Sequence, residues 1–176
     1  VEHSRLLIKY GGIDSVTNTD HLTAMFEAEG INRSRLNFEG RSTHAELLAR
    51  YNDVEIALDP FPYSGGLTTL EALWMGVPVI TVPGETFASR HSLSHLSTIG
   101  LTELVARDQD NYVELAVGLA NDTDRLAQLR ASLREQMACS PTCDSKTFAD
   151  CFTSIMRNIW RDWCLSRNSG PGVNAN

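Results

Sequence analysis

The chain has 176 residues, of which 42% are hydrophobic, so it can bury one substantial core and is expected to form one domain. The formal net charge of −7 argues against a nucleic-acid-binding or anionic-membrane surface. No apolar run approaches the ~18 residues of a membrane span, and residues 1–10 lack the features of a secretory signal, so the cytoplasm is the expected location.

The first third of the chain alternates between strand-like and helix-like segments. Arg5–Tyr10 begins abruptly as a strand, with no cap, turn or methionine ahead of it, which suggests a fragment of a longer polypeptide. Asp20–Glu29 has helical spacing and ends at Gly30. Arg35–Phe38 is then a second short strand, and Thr43–Tyr51 is a further helix.

The most informative stretch is ALDPFPYSGGLTTLEALWMGVPVIT, residues 57–81. Its pattern predicts a buried strand at Val54–Asp59, a loop, a helix that begins near Thr68, and a second strand at Pro78–Val82. The connection between these two strands is short enough for one βαβ unit. The loop therefore lies at the carboxyl end of the first strand, where open α/β sheets bind ligands.

Two glycines and two threonines in this loop favour the binding of an anion. Gly65 and Gly66 let the backbone approach a ligand closely, and Thr68 and Thr69 stand where the helix begins. Free N–H groups, the positive end of the helix dipole and two hydroxyls are then available to a phosphate. The alternative is that the threonines only cap the helix, but the intact segment GGLTTLEALWMG favours a ligand site.

The second half of the chain is predicted to be mostly helical. A helix at Ser89–Ser97 is followed by a possible edge strand at Leu104–Ala106, and Asp110–Met137 forms one or two helices with a break near residues 121–124. Ser145–Cys164 is an amphipathic closing helix that is expected to pack elsewhere on the fold. Residues 167–176 are expected to be a flexible tail after a lobe formed by residues 1–166.

The alternation of strands and helices predicts the α/β class, with a Rossmann-like parallel sheet that carries helices on both faces. Trp160 and Trp163 lie on the closing helix among aliphatic neighbours, so we expect them to pack in a core rather than against a sugar.

Cysteines and histidines give no convincing metal site. The four cysteines fall in the last quarter of the chain and are expected to be reduced thiols, because a chain of this size does not need disulfides. Cys139 and Cys143 have a spacing that suits a metal, as do His91 and His95, but neither pair has the further ligands that zinc requires. No metal ligand is therefore expected.

The segments ALDPFPYSGGLTTLEALWMGVPVITVPGETFASR and GLTELVA, the latter starting at Gly100, resemble the C-terminal catalytic half of O-linked N-acetylglucosamine transferases. The resemblance covers about Ser4–Trp163 and is nearest to bacterial members that carry tetratricopeptide repeats. It implies the C-terminal lobe of a two-domain GT-B glycosyltransferase, which binds the UDP of a nucleotide sugar and needs no metal or other cofactor. It also implies three partners: an N-terminal catalytic half, repeats and a protein acceptor.

The resemblance assigns roles to individual residues. Thr68 and Thr69 match the pair that binds the diphosphate, with Gly66 beside them, and Glu71 matches an acidic position that accepts hydrogen bonds from the ribose. These roles suit the chemistry, because hydroxyls and N–H groups at a helix start stabilise the charge that grows on a leaving UDP. Glu71 has a simpler alternative as an acidic residue that favours the helix dipole.

Two further basic residues match the nucleotide end of the family's site. Arg50 aligns with an arginine at the uracil, and His44 aligns with a basic residue beside the ribose, although either could be a solvated surface charge. Leu47 and Leu67 depart from the family, which often has histidines there, so nucleotide affinity is expected to differ. The groups that manage the acceptor proton come from segments ahead of Ser4, and no catalytic residue is expected in this chain.

The leading hypothesis is that the chain is the UDP-binding half of an inverting glycosyltransferase. It would transfer N-acetylglucosamine or a related hexose from a UDP-sugar to a protein Ser/Thr hydroxyl, with no turnover by this chain alone. A second hypothesis is a non-catalytic module that senses a nucleotide sugar or acts as a scaffold with attached repeats. A third is another GT-B enzyme, such as a UDP-sugar epimerase.

Overall fold

A computed structural model of the chain describes residues 1–168. The helices and strands in chain order are β1 (Leu6–Lys9), α1 (Val16–Ala28), β2 (Leu36–Glu39), α2 (His44–Arg50), β3 (Ala57–Leu58), α3 (Leu67–Trp74), β4 (Val79–Ile80), α4 (His91–Thr98), α5 (Gln109–Asn121), α6 (Thr123–Ala138) and α7 (Ser145–Asn168). Within this described range, none of the helices combines the length and apolarity that crossing a bilayer demands.

The strands pair in parallel, which confirms the predicted α/β class. β1 pairs with β2 from Leu6↔Leu36 onward, and β3 pairs with β4 through Ala57↔Val79 and Leu58↔Ile80. Among the described residues these form two separate two-stranded ladders rather than one continuous sheet. The segment predicted as an edge strand supplies a single parallel bridge, Thr81↔Val105, beside β4.

Most predicted elements are present with shifted ends, and local chemistry explains the shifts. α1 begins four residues earlier than predicted, because Ser15 caps its N-terminus by accepting a hydrogen bond from the Asn18 N–H. β3 has only two residues, since the Val54 N–H bonds back to the Tyr51 carbonyl in a 3₁₀ turn. The predicted break near residues 121–124 is confirmed: Asp122 ends α5 and caps α6.

The hydrophobic core surrounds β4, with α3, α4 and α6 packed around it. Leu73, Ile80, Leu96 and Leu133 have no exposed surface. Gly76 ends α3 at a φ of +81°, and a Cβ at this position would lie 2.8 Å from the Arg130 carbonyl of α6. The close approach of α3 and α6 therefore requires a glycine here.

The closing helix α7 differs from the sequence prediction, because its apolar face is exposed. Trp160 and Trp163 have relative exposures of 62% and 47%, so the expectation that they pack in a core is wrong. Their rings stack on each other, with centroids 5.1 Å apart. No described element covers this face, because α7 makes its main tertiary contacts with the adjacent turn Pro141–Cys143.

The end of the chain lies partly outside the described range. α7 continues to Asn168, so the first two residues of the predicted tail at 167–176 are helical. Residues 169–176 of that tail lie outside the described residues. The four cysteines carry free thiols, as expected.

Candidate functional site

The N-terminus of α3 presents unused backbone donors. The first hydrogen bond of the helix runs from the Leu70 N–H to the Gly66 carbonyl, so the N–H groups of Leu67, Thr68 and Thr69 precede it. Gly66 occupies the cap position without any side-chain hydrogen bond, and the first turn contains no acidic residue. This end of the helix therefore favours a negatively charged ligand.

The paired threonines occupy different environments. Thr68 is exposed. Thr69 is 4% exposed, and its hydroxyl donates to the Gly65 carbonyl at 3.0 Å and also contacts the Ser92 hydroxyl at 2.8 Å. Thr68 can therefore offer its hydroxyl to a ligand, whereas the Thr69 hydroxyl attaches α3 to the loop and to α4. The Thr69 N–H still belongs to the open helix end.

The two glycines before α3 differ in the same way. A Cβ on Gly65 would lie 2.6 Å from Thr69 Oγ1, 3.1 Å from Thr68 Oγ1 and 3.2 Å from Asp59 Oδ1. A Cβ on Gly66 would meet nothing within 4 Å. Gly65 therefore allows the close packing of the loop, and Gly66 leaves open space on the side from which a ligand would approach.

Asp59 follows β3 and fixes the loop that leads to α3. Its carboxylate is 6% exposed and accepts hydrogen bonds from Ser64 Oγ, the Gly65 N–H and Thr81 Oγ1 at 2.8, 2.6 and 2.6 Å. Its backbone carbonyl accepts a bond from the Tyr112 hydroxyl at 3.0 Å. The Asp59 carboxylate therefore joins the loop before α3 to the residue that follows β4.

Helix α4 supports the other side of the loop. The Ser92 N–H donates to Ser64 Oγ at 2.9 Å, and the Ser64 N–H donates to the Ala88 carbonyl. Burial, with a smaller contribution from His91, lowers the pKa of His95 on the same helix, while Asp59 opposes this shift. Sequence reasoning did not identify Ser92, because a serine inside a helix carries no local signal of a long-range contact.

Glu71 and His44 meet across α2 and α3. His44 Nε2 lies 2.8 Å from Glu71 Oε1, and the glutamate side chain is 10% exposed while the histidine is 68% exposed. Tyr51 at the end of α2 donates its hydroxyl to the Thr68 carbonyl at 3.2 Å. Burial and the nearby Glu71 charge raise the pKa of Tyr51. His44, Glu71, Tyr51 and Thr68 thus form one neighbourhood, in which Tyr51 was not identified from the sequence.

Arg50 lies in a separate ion-pair cluster. Its guanidinium bonds Glu39 Oε1 through Nε at 2.9 Å and Asp53 Oδ2 through Nη1 at 2.6 Å. The hydrogen bonds that Arg50 donates to Asp53 and, as the next cause, to Glu39 raise its pKa. Since both carboxylates already engage this side chain, a nucleobase would have to share the guanidinium with them. Within the described part of the chain, the hydrogen bonds and ion pairs of the Arg50 side chain run to Glu39 and Asp53 rather than to α3.

Aromatic side chains border the loop on the solvent side. Tyr63 and Phe87 are 69% and 84% exposed, and each makes an edge-on contact with the His91 ring. Arg90 donates to the Gly84 carbonyl at 3.0 Å. Across the described part of the chain, no three His, Cys, Asp or Glu side chains cluster as metal ligands would.

The comparisons with known proteins identify the family of the chain. The model of the family described as glycosyl transferase family 41 matches residues 15–152. The chain belongs to glycosyl transferase family 41. The parallel α/β fold with an open helix start after β3 is therefore the fold of a GT-B glycosyltransferase lobe, as predicted.

Two curated relatives extend the comparison. The Petunia hybrida protein named "Probable UDP-N-acetylglucosamine--peptide N-acetylglucosaminyltransferase SPINDLY" is 42% identical over 168 residues, which are 93% of this chain and 18% of that protein. The Caenorhabditis elegans "UDP-N-acetylglucosamine--peptide N-acetylglucosaminyltransferase" is 30% identical over 142 residues, which are 81% of this chain and 12% of that protein. The family 41 chain thus spans less than a fifth of the length of these relatives.

A solved structure gives the same result for the fold. The chain superposes on a mutant O-GlcNAc transferase of Thermobaculum terrenum with a TM-score of 0.88 and 39% sequence identity. The match covers 93% of this chain and 31% of that one. The family 41 chain therefore has the architecture of about one third of that enzyme.

Proposed function

We propose that this chain is the UDP-binding part of a glycosyltransferase that transfers N-acetylglucosamine, or a related hexose, from a UDP-sugar to a protein Ser/Thr hydroxyl. The observation that carries the proposal is the open start of α3, where three N–H groups and the exposed Thr68 hydroxyl lie together after a glycine-rich loop. A diphosphate fits this arrangement because it needs several donors, and the first turn of α3 contains no acidic residue.

In the proposed mechanism the helix start stabilises the leaving UDP. As the sugar–phosphate bond breaks, charge grows on the diphosphate, and fixed donors near Thr68 stabilise that charge. The step inverts the anomeric centre and needs no metal, because N–H groups and hydroxyls balance the diphosphate charge. The catalytic groups for the acceptor proton belong to the rest of the parent protein.

The ribose and the base would bind towards α2. Glu71 can accept hydrogen bonds from ribose hydroxyls, and His44 Nε2 lies 2.8 Å from its carboxylate. Arg50 is the proposed contact at the uracil and would share its guanidinium with Glu39. The leucines at positions 47 and 67 supply no polar groups at this end, so we expect weaker nucleotide binding than in relatives with histidines.

We also propose the setting of the parent protein. It would act in the cytoplasm, carry an N-terminal catalytic half, and have tetratricopeptide repeats of the kind found in bacterial members. The share of each relative that this chain covers, 18% or less, supports a longer parent protein. Binding of UDP without transfer or hydrolysis by the full-length parent would instead support a non-catalytic sensing module.

Calorimetric titration of the chain with UDP, UMP and GDP tests the proposal. UDP should bind more tightly than UMP and GDP, and Thr68→Ala should weaken UDP binding roughly tenfold or more, as expected when one hydrogen bond to a charged group is lost. Asp122→Ala is the control, because it removes the cap of α6 away from this site. A folded chain that does not distinguish UDP from UMP would contradict a diphosphate site at α3.

A further inference from the structure

Asp59 is a buried carboxylate whose role the proposed mechanism does not include. All three of its side-chain hydrogen bonds come from the loop before α3 or from the residue after β4, namely Ser64, Gly65 and Thr81. A carboxylate that is 6% exposed needs such donors, because an unpaired buried charge is costly. These bonds balance the charge and fix the loop at the same time.

We propose that Asp59 is the positioning residue of the anion site: its carboxylate holds the Ser64–Gly66 segment so that the start of α3 faces the diphosphate before a ligand arrives. This inference rests on the proposed function. A loop held in the binding geometry in advance needs no reorganisation when UDP binds, which favours both affinity and transition-state stabilisation.

The contacts also decide which N–H groups remain available for the phosphates. The Gly65 N–H already donates to Asp59 Oδ1 at 2.6 Å, so it is not available to an anion. The donors that remain are those of Gly66 and the first turn of α3. Gly65 packs against both groups: a Cβ at this position would lie 3.2 Å from Asp59 Oδ1 and 3.1 Å from the exposed Thr68 hydroxyl.

An asparagine cannot replace this carboxylate without a conflict. Asp59 accepts three hydrogen bonds and donates none, whereas an asparagine amide would direct its N–H donors either at the Gly65 N–H or at the Ser64 and Thr81 hydroxyls. The Ser64 hydroxyl already accepts a bond from the Ser92 N–H. If the amide nitrogen took the place of Asp59 Oδ2, the Ser64 hydroxyl hydrogen would lose its acceptor. The link between the loop and α4 through Ser64 would then loosen.

The test compares Asp59→Asn with Thr81→Val and with the control Asp122→Ala. Thr81 has no exposed surface, and valine keeps its volume while removing one donor to Asp59. Affinities for UDP and for uridine are measured by NMR titration, and thermal unfolding midpoints are recorded for each variant. We expect Asp59→Asn to weaken UDP binding roughly tenfold or more and Thr81→Val to weaken it roughly threefold, with uridine binding unchanged in both.

The ratio of the UDP and uridine affinities distinguishes a loss of loop positioning from a general loss of protein stability. Asp122→Ala lowers the unfolding midpoint by removing a cap, and it should leave that ratio unchanged. Equal UDP binding by folded Asp59→Asn and Thr81→Val would overturn the proposal, because the carboxylate would then have no effect on the site. Tighter binding would also overturn it, because the carboxylate would then only repel the ligand.

Amide hydrogen exchange of the loop gives a result that does not depend on UDP. Asp59→Asn and Thr81→Val should exchange the Gly65 N–H at least roughly tenfold faster than the unaltered chain and the control do. If the unaltered chain binds no UDP but the exchange result holds, the proposed function fails while the positioning role of Asp59 stands. Unchanged exchange in both variants would overturn the positioning role whatever the chain binds.

Discussion

At the scale of single residues, neighbouring side chains of the same type have different tasks. Thr68 and Thr69 are adjacent in the sequence, but only Thr69 is buried and bonded to α4. Gly65 and Gly66 are likewise adjacent, but only Gly65 has neighbours that exclude a Cβ. Whether one of these residues supports the loop or can contact a ligand therefore depends on the direction in which it faces, not on its residue type.

Thr69→Ala should destabilise the chain, whereas Thr68→Ala should not. The first substitution removes two hydrogen bonds from a buried hydroxyl and should lower the free energy of unfolding by about 1–2 kcal/mol. The second alters an exposed side chain and should change it by less than about 0.5 kcal/mol. Urea unfolding measures both, and Thr69→Ser should restore most of the loss. Equal stabilities of the two alanine variants would contradict this division of roles.

Tyr112 should make the fold sensitive to alkaline pH. Burial, and to a smaller extent Asp59, raises the pKa of its hydroxyl to about 12 from 10.0. Between these values the unfolded chain loses the proton and the folded chain keeps it, so stability is present below pH 10 and is lost as pH rises towards 12. We expect a loss of about 1–2 kcal/mol, because solvent screens this partly buried ring.

Urea unfolding of the unaltered chain and of Tyr112→Phe at several pH values from 9 to 12 measures this effect. The phenylalanine variant lacks both the titration and the bond to the Asp59 carbonyl. Its stability should therefore lie below that of the unaltered chain at pH 9, and the gap should close as pH rises. A gap that stays constant through pH 12 would show that Tyr112 titrates as it does in the unfolded chain.

At the scale of elements, helices are held by caps and by close approaches that glycine permits. Thr43 and Glu46 form a complete capping box at the start of α2, which positions His44 as the first helical residue facing Glu71. α3, by contrast, begins without a side-chain cap. α4 also lacks a cap from its own N-cap residue, but there the Ser64 hydroxyl accepts a hydrogen bond from the Ser92 N–H. At the start of α3 a capping side chain would occupy donors that a ligand needs.

Two glycine-to-alanine substitutions should have opposite effects on stability. Gly118 lies inside α5 with nothing within 4 Å of a Cβ, so Gly118→Ala should raise the free energy of unfolding by about 0.5–1 kcal/mol. Gly76→Ala should lower it by at least about 1 kcal/mol, since the φ is +81° and the Arg130 carbonyl is 2.8 Å from the Cβ position. Chemical denaturation checks both, and a stabilising Gly76→Ala would mean that α3 and α6 pack less closely.

At the scale of the whole molecule, one core is built around β4, and α7 contributes little to it. The buried residues of this hydrophobic core come from α3 to α6 and the segments between them, while the rings of Phe148, Phe152, Trp160 and Trp163 remain 47% or more exposed. The candidate site lies at one end of this core, where segments after β3, at the start of α3 and at the start of α4 meet.

Substitutions on α7 and in the core should therefore change the free energy of unfolding by very different amounts. Phe152→Ser replaces a side chain that is 54% exposed and should change the free energy of unfolding by less than about 0.5 kcal/mol. Leu133→Ala removes a side chain with no exposed surface and should cost about 2–5 kcal/mol. Denaturant unfolding compares them. A loss of several kcal/mol in Phe152→Ser would mean that α7 folds against the core in solution.

The sequence by itself determined the α/β class, the order of the elements and the loop before α3. These features depend on local chemistry: hydrophobic period, glycines and prolines at turns, and hydroxyls at a helix start. The same local signals placed Thr68, Thr69 and Gly66 at the helix start, and the family resemblance added Glu71, Arg50 and His44. The binding roles of these six residues remain predictions.

Only the tertiary structure decided which side chains face the ligand and which hold the loop. The burial of Thr69, the three donors on Asp59 and the ion pairs of Arg50 each join residues that are distant in the sequence or on different elements. The exposure of α7 follows the same rule, since an amphipathic pattern shows that a helix has an apolar face but not whether a neighbouring element covers it. Packing decides these points because burial depends on every element around a residue, whereas sequence patterns report one element at a time.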